Sequence, residues 1–260
     1  MTAQAAEAAQ TAETALSVSV VIPALNEEAT VGNVVKQCLA SSAAEVLVID
    51  SDSTDATARQ AAAAGATVLN WRDVDPREPW PGKGEALWRG VRAAKGDVVV
   101  FIDADVTTVR PNWVDALAAP FADPAIHLVK AAYQRTPTAD GRGGGRVTEL
   151  TAKPLLRCYF PELAHIEQPL AGEYAIRRST ALGLPFVAGY GVEAGLLIDV
   201  GKHHAPEAAT QVSLGARTHR TRPLAELAPM ADVVARTILA RAGVLEPELA
   251  PAQRPPWRAG

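Results

Sequence analysis

Short, continuous apolar runs alternate with amphipathic stretches along the first half of the chain. SVSVVIPAL, AEVLVID, ATVLNW and DVVVFID carry apolar residues at successive positions, the pattern of strands buried on both faces. Between them, EEATVGNVVKQCLA, TDATARQAAAA and KGEALWRGVRAAKG place their apolar residues at helical spacing. PNWVDALAAPFAD follows, with Pro111 near its start, where a helix has no use for the missing amide. This alternation predicts an α/β fold, a mainly parallel central sheet with helices on both faces. The second half is less regular. HLVKAAYQR and QVSLGART read as strands and GEYAIRRSTALGL as a strand running into a helix. RVTELTAKPLLRCYF, GVEAGLLIDVGKHH and LAELAPMADVVARTILARAG read as helices. No repeat and no long linker interrupts the pattern, so a single domain is expected over residues 17–245. Residues 1–16 read as a flexible N-terminal tail with neither the basic start nor the apolar core of a signal peptide, and the proline-rich 246–260 as a flexible C-terminal tail.

Composition narrows the class. With 260 residues, 48% of them hydrophobic, the chain can fill the core of one large domain. A net charge of −4 gives no electrostatic footprint for nucleic acid or an anionic membrane. No apolar run reaches membrane-spanning length. Cys38 and Cys158 both fall in helical patterns, which argues against a disulfide framework or a zinc site. The expected compartment is the cytoplasm.

Ligands of open parallel sheets bind beyond the carboxyl ends of the strands. The first strand ends in PALNEE, with Asn26 and Glu27; the second in DSDSTD, with Ser51 and Asp52; the fourth in DAD, Asp103 to Asp105. Three polar clusters at one rim point to one crevice. In extended geometry Asp103 and Asp105 face the same way, which suits a hard divalent cation that also holds phosphate oxygens. Read blandly, they are turn residues that cap the next helix. The same double reading applies to Asp52 and to Asn26. PGKGEAL puts Lys83 at a glycine-flanked helix start, suited to an anionic phosphate or merely to a solvated turn. GRGGGRVTEL offers free amides, Arg146 and the Thr148 hydroxyl for an anion, or a hinge. GYGVEAG sets Glu193 among glycines, either for close approach to a ligand or as compensation for the helix dipole. RTHRTRP supplies His219 and Arg222, or plain surface charge. The first strand lacks the G-x-G-x-x-G of a dinucleotide fold, and neither a nucleoside-triphosphate P-loop nor G-x-S-x-G occurs.

Taken in order, VVIPALNEE, VIDSDSTD, PGKGEALWRG, VVVFIDAD, GGGRVTEL, GEYA, GYGVE and THRTRPL resemble the actinobacterial glucosyl-3-phosphoglycerate synthases, which are retaining glycosyltransferases of the GT-A (nucleotide-diphospho-sugar transferase) fold. The resemblance covers most of Ser17 to Leu227. It implies transfer of glucose from UDP-glucose to 3-phosphoglycerate with Mg2+ or Mn2+, in a homodimer. It also implies a nucleotide-sugar-binding half at 17–135 and an acceptor-binding half at 136–245. In that reading Pro23, Leu25, Asn26, Glu27, Ser51 and Asp52 hold the uracil and ribose. Lys83 meets the phosphates and sugar, Asp103 and Ala104 lie beside the donor, and Arg222 contacts the nucleotide or helps close the acceptor side. Asp105 and His219 bind the metal, and Glu193, Lys83 and Asp105 form the catalytic group. Gly145, Arg146, Thr148 and Thr221 receive the acceptor.

Two positions depart from the family pattern. Ala104 stands where the middle of D-x-D is usually Ser, and Thr221 where the family has Asn between two arginines. The second lies on the acceptor side and keeps open a relative that uses a GDP-sugar and another small acceptor, such as a thiol or thione. A nucleotide-binding relative without turnover is the third reading.

Overall fold

The structure is a computed structural model that describes residues 16–135, 145–217 and 224–258. The expected strands form first. β1 (Val18–Ala24), β2 (Glu45–Asp50) and β3 (Thr67–Asn70) pair in parallel, and β4 (Val98–Phe101) joins the other side of β1. The chain continues into β5 (Leu128–Arg135), β6 (Tyr174–Arg177) and β8 (Ala209–Arg217). Among the described residues these seven strands make one sheet in the order β3-β2-β1-β4-β6-β5-β8. β6 runs antiparallel to both β4 and β5, so the sheet is mixed in its second half.

The strands are apolar at successive positions because both faces are covered. Val21, Leu47, Ile49, Val99, Phe101 and Ile176 face one core, while Val20, Ile22, Val48, Val98, Val100 and Val129 face the other. Each fully buried side chain of this kind is worth about 1.5–3 kcal/mol relative to exposure. The second core is covered by α1 (Val31–Leu39), α2 (Thr57–Ala63) and α5 (Asn112–Ala118). The first is covered by α4 (Lys83–Ala93), α6 (Lys153–Tyr159), α7 (Arg178–Leu182), α8 (Val192–His203) and α9 (Leu224–Ala242). A short helix, α3 (Trp71–Val74), links β3 to α4 and is capped by the Asn70 side chain. A π-helical turn, Thr148–Ala152, leads into α6. Cys38 is buried in α1 and Cys158 is exposed on α6; neither forms a disulfide. Among the described residues no helix is long and apolar enough to cross a membrane.

One topological feature locates the site. β2 lies on one side of β1 and β4 on the other, so the chain reverses its direction of travel across the sheet at β1. The loops after β1 and β4 therefore part at their carboxyl ends and leave a crevice.

The C-terminal segment departs from the sequence expectation. It is not a loose tail over 246–258. Gln253–Arg254 forms β9, antiparallel to β7 (Phe186–Val187). Trp257 stacks on Trp88 with ring centroids 3.7 Å apart, and Arg254 is buried. Proline content suggested disorder, but two aromatic rings and one buried ion pair supply enough contact to hold the segment.

Backbone approach at the start of α4 is close. A Cβ at Gly84 would stand 1.7 Å from the carbonyl oxygen of Val187 in β7. Gly84→Ala is expected to force the strand and helix apart and cost about 1–3 kcal/mol or more. Thermal melts should show a lowered Tm; an unchanged Tm would contradict the packing.

Candidate active site

The crevice at the switch point is a cleft of about 560 Å³. From the first loop it receives Pro23, Leu25 and Glu27, from the second Ser51, and from the fourth Asp103, Ala104 and Asp105. Lys83, Gly145, Arg146, Thr148 and Glu193, also expected, line it too. Residues more than 160 positions apart in sequence thus reach one space, because β1, β4 and the first turns of α4 and α8 meet there.

At its floor Lys83 Nζ lies 2.5 Å from Asp103 Oδ1 and 2.8 Å from Glu193 Oε1. Burial by itself would drive the proton off Lys83. The charges of Asp103 and Glu193 more than offset that, and the ammonium is held well above the usual lysine range. Gly172 backs this contact: a Cβ there would fall 2.0 Å from Asp103 Oδ2, so only glycine lets the β6 approach come this near. Asp105, one residue past Ala104, is exposed on the rim, whereas Asp103 is half-buried. The pair that looked equivalent in sequence is therefore split, one carboxylate clamped by lysine and the other turned to the cleft mouth.

On the opposite wall, Thr148 is buried at the start of the π-helical turn, and Gly145 has a φ of 94°. The Glu149 amide closes back onto the Gly145 carbonyl at 2.9 Å, which bends the chain so that Arg146 and Thr148 both line the cleft.

Two expected donor residues have other work. Asn26 sits in the left-handed region, φ 57°, and its Oδ1 accepts from the Thr54 amide at 2.9 Å. Asp52, φ 62°, takes a hydrogen bond from Asn70 at 2.9 Å and an ion pair from Arg72 at 3.0 Å. Neither is among the lining residues of the cleft; they tie the β1 and β2 loops into shape. Asx side chains bond readily to nearby chain segments, which accounts for this local role. His219, Thr221 and Arg222 lie outside the described residues.

Sequence reading missed several contributors. Trp71, Tyr133, Tyr190, Met230 and Val234 also line the cleft. Tyr190 stood inside a quoted motif, GYGVE, where the glycines drew the attention. Lys130 gave a clearer signal, as the single charge in the apolar stretch HLVKAAY. It is buried, donates to the Ala171 carbonyl at 2.8 Å, and lies 4.1 Å from the Tyr174 ring centroid. Burial pushes its pKa down from 10.5 to about 7; Glu193, Glu173 and Asp103 oppose that and Lys83 adds to it.

A mainly parallel sheet whose switch-point crevice holds a D-x-D pair and an ion-paired lysine defines an α/β protein of the GT-A type. The chain belongs to glycosyl transferase family 2, whose model matches residues 19–176, and is a glycosyltransferase. It is 46% identical to the glucosyl-3-phosphoglycerate synthase of Mycolicibacterium smegmatis, over 90% of this chain and 80% of that protein. The synthase of Petrotoga mobilis is 40% identical over 87% of this chain and 73% of its own. A solved structure of the Mycobacterium tuberculosis glucosyl-3-phosphoglycerate synthase, in complex with Mn2+, uridine-diphosphate-glucose and phosphoglyceric acid, superposes with a TM-score of 0.84. The two are 42% identical, and the match covers 93% of this chain and 90% of that one.

Lys130 ties stability to pH. Its folded pKa of about 7 lies below the ordinary 10.5, so between those values the unfolded chain holds the extra proton. The penalty for burying charge is full below pH 7 and fades as pH rises toward 10. The Tm of the wild type minus that of Lys130→Met should therefore increase from pH 7 to 9.5. A difference independent of pH would contradict the assignment.

Proposed function

We propose that this protein transfers glucose from UDP-glucose to 3-phosphoglycerate, with retention at the anomeric carbon and a divalent cation, Mg2+ or Mn2+. The observation that carries the reading is the Lys83 ammonium held between Asp103 and Glu193 in the switch-point cleft. The synthases named above, alike over nine-tenths of this chain, supply the substrate identities.

The chemistry follows from charge. Among the described residues the cleft lining carries four carboxylates, Glu27, Asp103, Asp105 and Glu193, against two cations, Lys83 and Arg146. A diphosphate entering such a cleft needs added positive charge. The donor set fits a divalent cation that takes few protein ligands and would draw the rest of its shell from phosphate oxygens and water. Asp105 on the rim is one such ligand, and His219, outside the described residues, is the second ligand in this reading. When bound, the cation would neutralise charge that builds on the departing diphosphate. Lys83 contributes a fixed ammonium to the same charge without reorganisation, since Asp103 and Glu193 already hold it. Glu193, buried at the start of α8, faces the donor sugar. Pro23, Leu25, Glu27 and Ser51 receive the nucleoside, and Asp103 and Ala104 the ribose side. Gly145, Arg146 and Thr148 bind the acceptor's phosphate or carboxylate through amide, guanidinium and hydroxyl donors. Residues 17–135 mainly serve the donor and 136–245 the acceptor, with Glu193 and His219 reaching from the second half toward the donor. A homodimer, as the family resemblance implies, and a cytoplasmic location complete the proposal.

Incubation with UDP-glucose, 3-phosphoglycerate and Mn2+ should give glucosyl-3-phosphoglycerate and UDP by mass spectrometry, and excess EDTA should stop it. Absence of product would reject the reading, and turnover of GDP-glucose alone would replace the donor. Arg146→Ala should raise the apparent KM for 3-phosphoglycerate at least about tenfold, the loss of one charge-assisted hydrogen bond. The KM for UDP-glucose should stay within a factor of about two, and a reversed pattern would move Arg146 to the donor side.

A further inference from the structure

The C-terminal strap reaches the helix that carries Lys83 by two routes. Glu85, two residues after Lys83, is fully buried and accepts from Arg254 on both oxygens, Nε to Oε2 at 2.7 Å and Nη2 to Oε1 at 3.0 Å. Arg89, also fully buried, donates to Glu85 Oε1 at 2.8 Å and to the carbonyls of Trp71, Asp75 and Arg77. The second route is backbone. β9 pairs with β7, the Ala188 amide donates to the Ala252 carbonyl at 3.0 Å, and the Glu85 amide donates to the Ala188 carbonyl at 3.3 Å. Outside these contacts the strap is sealed by Trp257 on Trp88, where each indole N–H donates to a carbonyl across the contact at 2.9 Å. Arg254 itself lies 4.0 Å from the Trp80 ring centroid.

A buried Arg–Glu–Arg triad is weak evidence for stability, because apolar replacement often serves as well. Its directional bonds instead fix three segments relative to one another: the first turn of α4, the 71–78 segment that begins with α3 and brings Trp71 to the cleft, and the strap. We infer that Arg254 is a positioning residue, which together with the Trp257 stack sets the first turn of α4 so that Lys83 meets Asp103 and Glu193. The inference rests on the reading of Lys83 as a group that acts on the donor.

The test uses the full chain with Arg254→Ala, Arg254→Lys and Trp257→Leu, with Arg92→Ala as control, since Arg92 is exposed over the same Trp257 ring at 5.5 Å. Hydrogen exchange of the peptide spanning 82–90 and glucosyl transfer are measured well below each variant's Tm. Arg254→Ala should speed exchange selectively at 82–86 and lower kcat at least about tenfold with an unchanged acceptor KM, as small misplacements of catalytic groups do. Arg254→Lys should recover part of both effects, and Arg92→Ala should change neither. If Arg254→Ala does not fold, Trp257→Leu and Arg254→Lys carry the comparison with the same direction. Unchanged exchange at 82–86, or kcat preserved while exchange rises there, overturns the inference. So does a rise in exchange throughout the chain in step with lost Tm. A wild-type protein without transfer activity would reject the functional reading alone, because the exchange measurement still tests the strap.

Discussion

One ammonium between two carboxylates organises this molecule. Lys83, Asp103 and Glu193 come from α4, the loop after β4 and the start of α8, and the one ammonium pairs with both carboxylates. Remove the lysine and two carboxylates are left on one side of the cleft, Glu193 buried and Asp103 half-buried, without the ammonium they share. The fold is arranged to make that contact. The switch point opens the crevice, Gly172 lets the backbone close behind Asp103, and Gly84 lets α4 lie directly on β7.

The reach of this constraint extends beyond the cleft. The first turn of α4 is tied through its Glu85 to Arg89 of the same helix and to Arg254 of the strap, so the C-terminal segment reaches the turn that carries Lys83. The same helix packs Trp88 against Trp257 and presses on β1 and β2. A single element thus transmits both core packing and site geometry, and a change at the strap and a change in the cleft are felt by the same turn.

Much of the site was legible in the sequence, for particular reasons. The ends of β1, β2 and β4 could be read because buried parallel strands are apolar on both faces and stop abruptly at polar residues. Lys83 and Glu193 could be read because glycines flank them at helix starts. Asn26 and Asp52 make loop-shaping bonds, to Thr54 and to Asn70 and Arg72, that a sequence does not distinguish from contacts to a ligand. The segment 246–258 was misread because proline content reports on local preference and not on long-range partners. Tyr133 and Trp71 carried no local signal, since an aromatic residue at a strand or helix boundary is ordinary in a core.

By itself the sequence determined the α/β class, the strand ends that build the rim, the helix starts that supply Lys83 and Glu193, and the family to which their order belongs. The class, the strand ends and the helix starts are consequences of periodicity and of local backbone chemistry, which act between near neighbours; the family follows from the resemblance of the ordered motifs. Only the tertiary structure decided that Asp103 is clamped by Lys83 while Asp105 faces the cleft mouth, that β6 runs antiparallel, that Lys130 is buried beneath the site, and that Arg254 and Trp257 lock onto α4. Each of these depends on contacts between residues tens to more than a hundred positions apart, and the free energy of such contacts is set by burial and distance, which no local pattern records.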